Sequence, residues 1–456
     1  MLLSSKQISI VSFLILLLWS QTTTAQNSNI IASKDLVFLK GITQAVLGSS
    51  RIQPGQSMPA PFGRNNTGGV LIRPGGRETY PAFWVRDYAM SLETGMVSVA
   101  EQQHMLKLTA ATQCDQTWIT RGGSMVPYGA IADHILVNNS MPVYFAGTYD
   151  LEEQGTFAFG MFPPYCDQFY FIKMAHHYVK TTADLKILDV EINGISLISR
   201  LETAFHVPPS NLETHIIYNI EHYRAVDFGF RDAIHITGDL LYPSLLKYEA
   251  ALELSGLFQK KGNKNKASKY KNIAAAIKLA IPGKFADEDG MLRASTGKSA
   301  QRDVWATALA IYMNVLPAPV GEKASKSLAN AYKAGNLAYK GAVRHVIKTD
   351  DFSTATSWEG AIPETTINSY QNGAYWFTAT GWVAYAISKT DRESARKLTE
   401  EYIEELRHTD YRKGKDFTGP LECFYPPSYT RGPVYLTSVS CPYIVLNKMM
   451  INDQKK

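Results

Sequence analysis

Cysteine is nearly absent from this chain: Cys114, Cys166, Cys423 and Cys441 are the only four among 456 residues. Their spacings match no common zinc pattern, so they read as structural or free thiols, and neither a metal nor a cofactor is expected. In an oxidising compartment four thiols would still allow about three alternative pairings. Charge is also scarce, at 19% of residues with a net +5 and no basic block at either end. That composition argues against a dedicated nucleic-acid binder. Beyond the first residues no apolar run is long enough to span a bilayer. No Pro-rich or Ser-rich linker divides the chain, so one domain is favoured although the length permits up to about three. Strand-like alternation is sparse as well, which leaves little room for extended sheet.

What is present begins with an apolar N-terminus. Lys6 supplies a positive start, "ISIVSFLILLLW" is an apolar core too short to span a membrane comfortably, and Thr23 and Ala25 offer a small-residue cleavage point. Residues 1–25 are therefore expected to be an export signal. Residues 26–456 would form one domain, secreted or periplasmic and free of the membrane after cleavage. No Cys follows the apolar core, so lipid attachment there is excluded. Asn65 and Asn138 head N-x-[ST] triplets, which matter only in a eukaryotic secretory pathway. The one dense basic run, "QKKGNKNKASKYKN" at 259–272, reads as a solvated turn between two helices.

The rest of the chain alternates helical periodicity with loops rich in Gly, Pro and aromatics. Twelve helices are expected, beginning near Lys34, Asp87, Glu101, Asp167, Ala183, Asp232, Lys266, Arg302, Glu322, Tyr370, Arg392 and Val434. Apolar recurrence at i, i+3, i+4 and i+7 is plain in "LLYPSLLKYEAALELSGLF" and "ATALAIYMNVL". The segments 232–258, 302–316 and 370–388 are apolar on most faces and should be buried. Those at 266–281, 322–334 and 392–407 carry one apolar stripe and should lie at the surface. The alternation suits an inner ring of helices wrapped by an outer one. It would put alternate loops on one face, where a pocket can form.

The loops entering the inner helices are unusual. "FWVRDYAM", "FPPYCDQFYF", "AVDFGFRDAIHITGDLLYP", "SAQRDVWATA", "SWEGAIPETTINSYQNGAYWFTATGW" and "FTGPLECFYPPSY" each set carboxylates or Arg among Trp, Tyr or Phe. Sugars are recognised by such combinations, with rings stacked on their C–H faces and charged groups bonded to their hydroxyls. Any one loop is explained by an N-cap and core aromatics. Recurrence before nearly every inner helix is not, because a cap needs no Arg-Asp beside Trp.

These motifs resemble the six-hairpin glycosidase superfamily of glucoamylases and trehalases. The resemblance implies an all-α (α/α)6 barrel over about 400 residues. "FWVRDYAM" is similar to the glucoamylase Trp-x-Arg-Asp motif, which implies that Trp84, Arg86 and Asp87 hold the terminal sugar. "PPYCDQFYF" is similar to the motif opening the fourth helix and places Asp167 in the pocket. "YQNGAYWFTATGW" resembles a stretch common in such toroids and brings in Tyr370, Gln371 and Trp376. The superfamily's general acid lies before the sixth helix. There the chain offers Asp227 and Asp232, with Asp232 favoured because Arg231 adjoins it as Arg86 adjoins Asp87. Its general base lies before the twelfth helix, where Glu422 is the matching carboxylate. The competing reading of Glu422 is an ion pair with Arg431. Trp358, Glu359 and Glu364 join the substrate-binding set, and Trp305, Trp358 and Trp376 divide between stacking platforms and core. His222 and His235 read as wall or core residues, and Asp239 as a brace one helix face along from Asp232.

The expected function is an inverting, exo-acting glycoside hydrolase whose partner is an oligosaccharide or polysaccharide. Arg86, Arg231 and Arg302 suggest an acidic sugar such as glucuronate. A polysaccharide lyase, drawing on His176 and His177, and a non-catalytic sugar-binding toroid are the alternatives. Oligomeric state is not legible.

Overall fold

The computed structural model describes residues 29–455, apart from 78, 156–159, 220–221, 227–228, 299, 351–359 and 362–364. Twelve α-helices occur among the described residues. They are α1 (Ser33–Ser50), α2 (Val85–Ser91), α3 (Val99–Ala111), α4 (Tyr165–Thr182), α5 (Leu197–His206), α6 (Leu241–Lys260), α7 (Lys264–Phe285), α8 (Val304–Tyr312), α9 (Ala318–Lys333), α10 (Thr380–Ile387), α11 (Arg392–Thr409) and α12 (Thr437–Gln454). Local chemistry sets several starts. Ser98 and Glu101 form a reciprocal capping box on α3. Asp303 and Asp391 cap α8 and α11 by accepting from Ala306 N at 2.9 Å and Ser394 N at 3.0 Å.

Three expected helix starts are wrong, each for a local reason. The fifth helix does not begin at Ala183, which ends α4 in a left-handed conformation at φ 59°. It begins at Leu197, after the hairpin at 191–196. The sixth begins at Leu241 and not at Asp232, because the strands Ile234–His235 and Gly238–Asp239 intervene and Gly238 has φ 77°. The tenth begins at Thr380, since Tyr370 at φ 40° and Gly373 at φ 109° forbid a helix through them.

Burial separates two sets of helices. All seven residues of α2 are buried, and α8 exposes no side chain from Val304 to Ile311. By contrast α11 buries one stripe, including Ala395, Leu398, Tyr402 and Leu406. The even-numbered helices pack in sequence, α2 on α4, α4 on α6, α6 on α8, α8 on α10, α10 on α12, and α12 on α2. The odd-numbered helices lie against them: α1 on α12, α3 and α5 on α4, α7 on α6, α9 on α8 and α10, and α11 on α10.

The connections differ sharply between the two ends of the even helices. Those leaving them are mostly short, such as 261–263, 313–317 and 388–391. Those entering them are long: 51–84, 112–164, 207–240, 286–303, 334–379 and 410–436. Here the expectation of an all-α chain needs correction, because the long connections carry small antiparallel sheets. One joins Ala82–Trp84 to His134–Leu136 and Pro142–Val143. A five-stranded one runs Ala338–Tyr339, Ala342–Val343, Tyr375–Trp376, Leu421–Tyr425, Tyr429–Pro433. Each strand is two to five residues long, too short to show alternation in the sequence. Both of these sheets include a pairing between segments far apart in the chain, Trp84 with His134 and Trp376 with Cys423, and so tie neighbouring connections together.

Candidate active site

The long connections enclose a cavity of about 340 Å³, lined by Tyr80, Trp84, Arg86, Asp87, Asp133, Tyr149, Asp232, Thr365, Tyr370, Glu422, Tyr429, Arg431 and Tyr435, among others. Strand Ala82–Trp84 delivers the chain directly into α2, which puts Arg86 and Asp87 at the cavity floor, 7% and 1% exposed. Their charges face each other with Arg86 Nε 3.6 Å from Asp87 Oδ2. Tyr435 donates to Asp87 Oδ1 at 2.8 Å, and the Arg86 guanidinium lies over the Phe230 ring, 4.5 Å from its centre. The aromatic residues around this pair thus supply a hydroxyl donor and a π-face to otherwise buried charge.

Glu422 lies on strand Leu421–Tyr425 and is 1% exposed. Tyr80 donates to its Oε2 at 2.6 Å, and Arg431 Nε on the neighbouring strand stands 3.6 Å from the same oxygen. The ion pair with Arg431 and a place in the cavity therefore coexist. Gly432, at φ 58°, lies against Glu422, and a Cβ there would collide with the Glu422 side chain. Arg431 is half exposed, with its guanidinium 3.8 Å from the Tyr370 ring centre. Asp232 sits in the connection before α6, where Gln371 Nε2 donates to its Oδ1. Gln371 is anchored in turn, since its Oε1 accepts from Ala233 N at 2.6 Å.

Burial governs the protonation of these acids. It pushes the Glu422 carboxyl up to about 7, against the opposing pull of Arg431 and the Tyr80 hydrogen bond. It raises Asp232 to about 6, opposed by Arg86 and reinforced by Asp133. Asp87 is raised by burial too, with Arg86 and Tyr435 resisting. The Tyr80 phenol is held well above its usual range by burial and by the Glu422 charge.

Several expected site residues stand elsewhere. Asp167 does not line the cavity: it is fully buried on the first turn of α4, with neither carboxyl oxygen hydrogen-bonded. Burial and Asp133 hold its carboxyl well above the usual range, with Arg86 opposing. Arg231 is not a cavity residue either, for it is buried in the core and paired with Asp303. Arg302 is taken by Asp350 and Asp289 at 2.5 and 3.0 Å. The case for an acidic sugar thus loses two of its three arginines. Trp376 and Gln371 lie behind the cavity wall. Trp376 packs with Trp305 and Phe230 and donates from Nε1 to Tyr370 O at 3.2 Å. Asp239 is on a short strand, paired with Lys284 at 2.6 Å, and braces nothing at Asp232. His176 pairs with Glu253 at 3.4 Å on the second half of α4, away from the cavity. Asn65 is 2% exposed with its amide spent on Ile52 O and Gly69 O at 2.9 Å, so this fold leaves no room for a glycan there. Asp227, Trp358, Glu359 and Glu364 lie outside the described residues.

The cavity also holds residues that sequence reasoning passed over: Asp133, Tyr149, Tyr429 and Tyr435. Asp133 carried a visible signal, an Asp-His pair inside the apolar run "AIADHILV". The tyrosines carried none, since a core tyrosine looks the same.

No family model and no curated protein sequence matches the chain. Solved structures do. A rhamnosidase from Klebsiella oxytoca with rhamnose bound superposes with a TM-score of 0.53 at 10% identity over 92% of this chain. The chain spans only 65% of that protein's length. A wild-type glycosidase gives a TM-score of 0.53 at 11% identity, covering 92% of this chain and 99% of that one. A GH63 mannosylglycerate hydrolase from Thermus thermophilus, in complex with glucose, gives 0.55 at 10% identity, covering 89% and 99%. The chain therefore shares the fold of these glycosidase structures.

Proposed function

We propose that this protein is a secreted, inverting, exo-acting glycoside hydrolase, built as one (α/α)6 toroid over residues 26–456. The observation that carries the reading is the arrival of Asp232 and Glu422, 190 positions apart in the chain, on one cavity. The cycle of contacts among the even helices supports the toroid. The deeply buried floor at Arg86 and Asp87 suits the end of a sugar chain more than its middle. In this reading Asp232 protonates the departing glycosidic oxygen, and Glu422 takes a proton from the water that attacks the anomeric carbon from the opposite face. Tyr80 orients Glu422, and Arg86, Asp87 and Trp84 hold the terminal sugar.

The two roles can also be exchanged. A general acid must hold its proton, and burial raises Glu422 as well as Asp232, so either carboxyl can serve. Each acid also accepts one side-chain hydrogen bond that favours its ionised form, Asp232 from Gln371 and Glu422 from Tyr80.

Leaving-group dependence separates the assignments. A substrate with a very good leaving group needs little protonation, so it partly rescues whichever variant has lost the acid. Rescue of Asp232→Asn supports the first assignment, rescue of Glu422→Gln the exchange, and rescue of Asp227→Asn alone would transfer the acid to Asp227. Binding of a saccharide without cleavage would leave a sugar-binding toroid. Export is tested by expression of the full chain and N-terminal sequencing of the product, which should begin at or near Gln26.

A further inference from the structure

Asp133 is a cavity carboxyl to which the proposed function gives no role. It is 1% exposed, and its position is fixed from several sides. Its backbone carbonyl accepts from Val85 N at 3.2 Å, which ties it to the first residue of α2. The next residue, His134, pairs in register with Trp84 across the small sheet. The His134 ring lies under the Trp84 indole, 4.5 Å between centres and 18° from parallel. From there His134 Nδ1 donates to Asp133 Oδ2 at 2.8 Å. Among the described residues only His134 bonds this carboxyl. Because Asp133 lines the cavity, Oδ1 is the oxygen left to face it.

That oxygen reaches the cavity, where a ligand hydroxyl can replace water as its donor. Its surroundings say which ligand. Asp87 and Asp232 line the same cavity, and the one guanidinium at the floor, Arg86, already faces Asp87 at 3.6 Å. Such a floor offers oxygens to hydroxyl donors. A carboxylate placed there would meet like charge on several sides, while Arg86 faces Asp87 and Arg431 faces Glu422, each at 3.6 Å.

We propose that Asp133, held by His134 beneath Trp84, is a specificity residue that accepts a hydrogen bond from a hydroxyl of the terminal sugar and makes the floor reject a uronate. The proposal rests on the reading of this cavity as a sugar site and names the sugar class it takes, which is uncharged.

The test is calorimetric titration of the full mature protein with D-glucose, D-mannose, L-rhamnose, D-glucuronate and D-mannuronate. At least one neutral sugar should bind about tenfold or more tighter than either uronate. In Asp133→Asn the preferred neutral sugar should weaken about 10- to 100-fold, the loss of one hydrogen bond to a charged group, and the margin over the uronates should shrink. A merely structural role would not single out one hydroxyl. In a series of monodeoxy analogues, wild type should lose affinity at one position that Asp133→Asn no longer senses. His134→Asn, which keeps a donor but removes the ring under Trp84, should fall between the two. Equal or tighter binding of a uronate by wild type would overturn the proposal. So would an unchanged margin in folded Asp133→Asn, or no binding of any of the five sugars. A neutral sugar that binds as described, in a protein that cleaves no glycoside, would uphold the specificity and defeat the hydrolase reading.

Discussion

At one end of the even-numbered helices the chain turns back through segments as short as 261–263 and 388–391; at the other it runs through 112–164 and 334–379. The charges follow the same division. At the short end opposite charges meet in pairs, Glu93 with Lys448 at 2.6 Å and Lys173 with Glu249 at 2.9 Å, around a cavity of about 110 Å³. At the long end Asp87, Asp133, Asp232 and Glu422 share a larger cavity in which, among the described residues, Arg86 and Arg431 are the cations. Burying acids with too few cations opposes folding. The short end balances its charges, whereas the long end tolerates unfavourable electrostatics, as sites that need proton carriers do.

The largest expected effect breaks this division at its active side. Glu422→Gln, and separately Asp232→Asn, should lower kcat on any cleaved glycoside by about 10²–10⁴-fold while the protein stays folded. Steady-state kinetics with a thermal unfolding control checks this.

The same Glu422 substitution should stabilise the protein at high pH. A carboxyl raised in the folded state from 4.5 to about 7 contributes its full stability below pH 4.5 and loses it as pH rises through 7. Glu422→Gln has nothing to lose in that window. Above pH 7 it should exceed wild type by on the order of 3 kcal/mol, with the gap closing toward pH 4.5. Denaturant titrations at pH 5 and pH 8 decide.

Removing the hydroxyl that steadies Glu422 should act more gently. Tyr80→Phe deletes a donor at 2.6 Å that favours the ionised carboxyl, so the pKa of Glu422 rises. If Glu422 is the base, the acidic limb of the pH–rate profile moves upward by about one pH unit. A downward move would contradict that.

The smallest effect belongs to the other end. Lys448→Ala breaks the pair with Glu93, in which Lys448 is 46% exposed. It should cost less than about 1 kcal/mol and leave both kcat and KM unchanged. A kinetic defect there would mean that the two ends are coupled.

Much of the helical frame was legible in the sequence, because periodicity and caps are local signals. Asp303 and Asp391 announce α8 and α11 by chemistry within three residues. Cavity residues were legible where opposite charges interrupt aromatic runs, as at Arg86 and Asp87. Arg231-Asp232 shows the limit of that signal. The two adjacent charges point apart, Arg231 into the core toward Asp303 and Asp232 into the cavity, because this segment is a loop before short strands and not a helix start. Nothing in the local pattern carried that distinction. The five-stranded sheet was illegible for a related reason: its pairings, such as Trp376 with Cys423, join positions far apart. Tyr435 bonds Asp87 across the α12–α2 contact, a closure that exists only once the helices have packed.

The proposed reaction is cleavage of a glycosidic bond by the carboxyls gathered at the long-connection end. It is tested most directly by proton NMR of oligosaccharides and aryl glycosides incubated with wild type and with Glu422→Gln. Wild type should release a terminal sugar whose first-formed anomer is inverted relative to the substrate, and Glu422→Gln should release almost none. An unsaturated, ultraviolet-absorbing product, or full turnover by Glu422→Gln, would contradict the account.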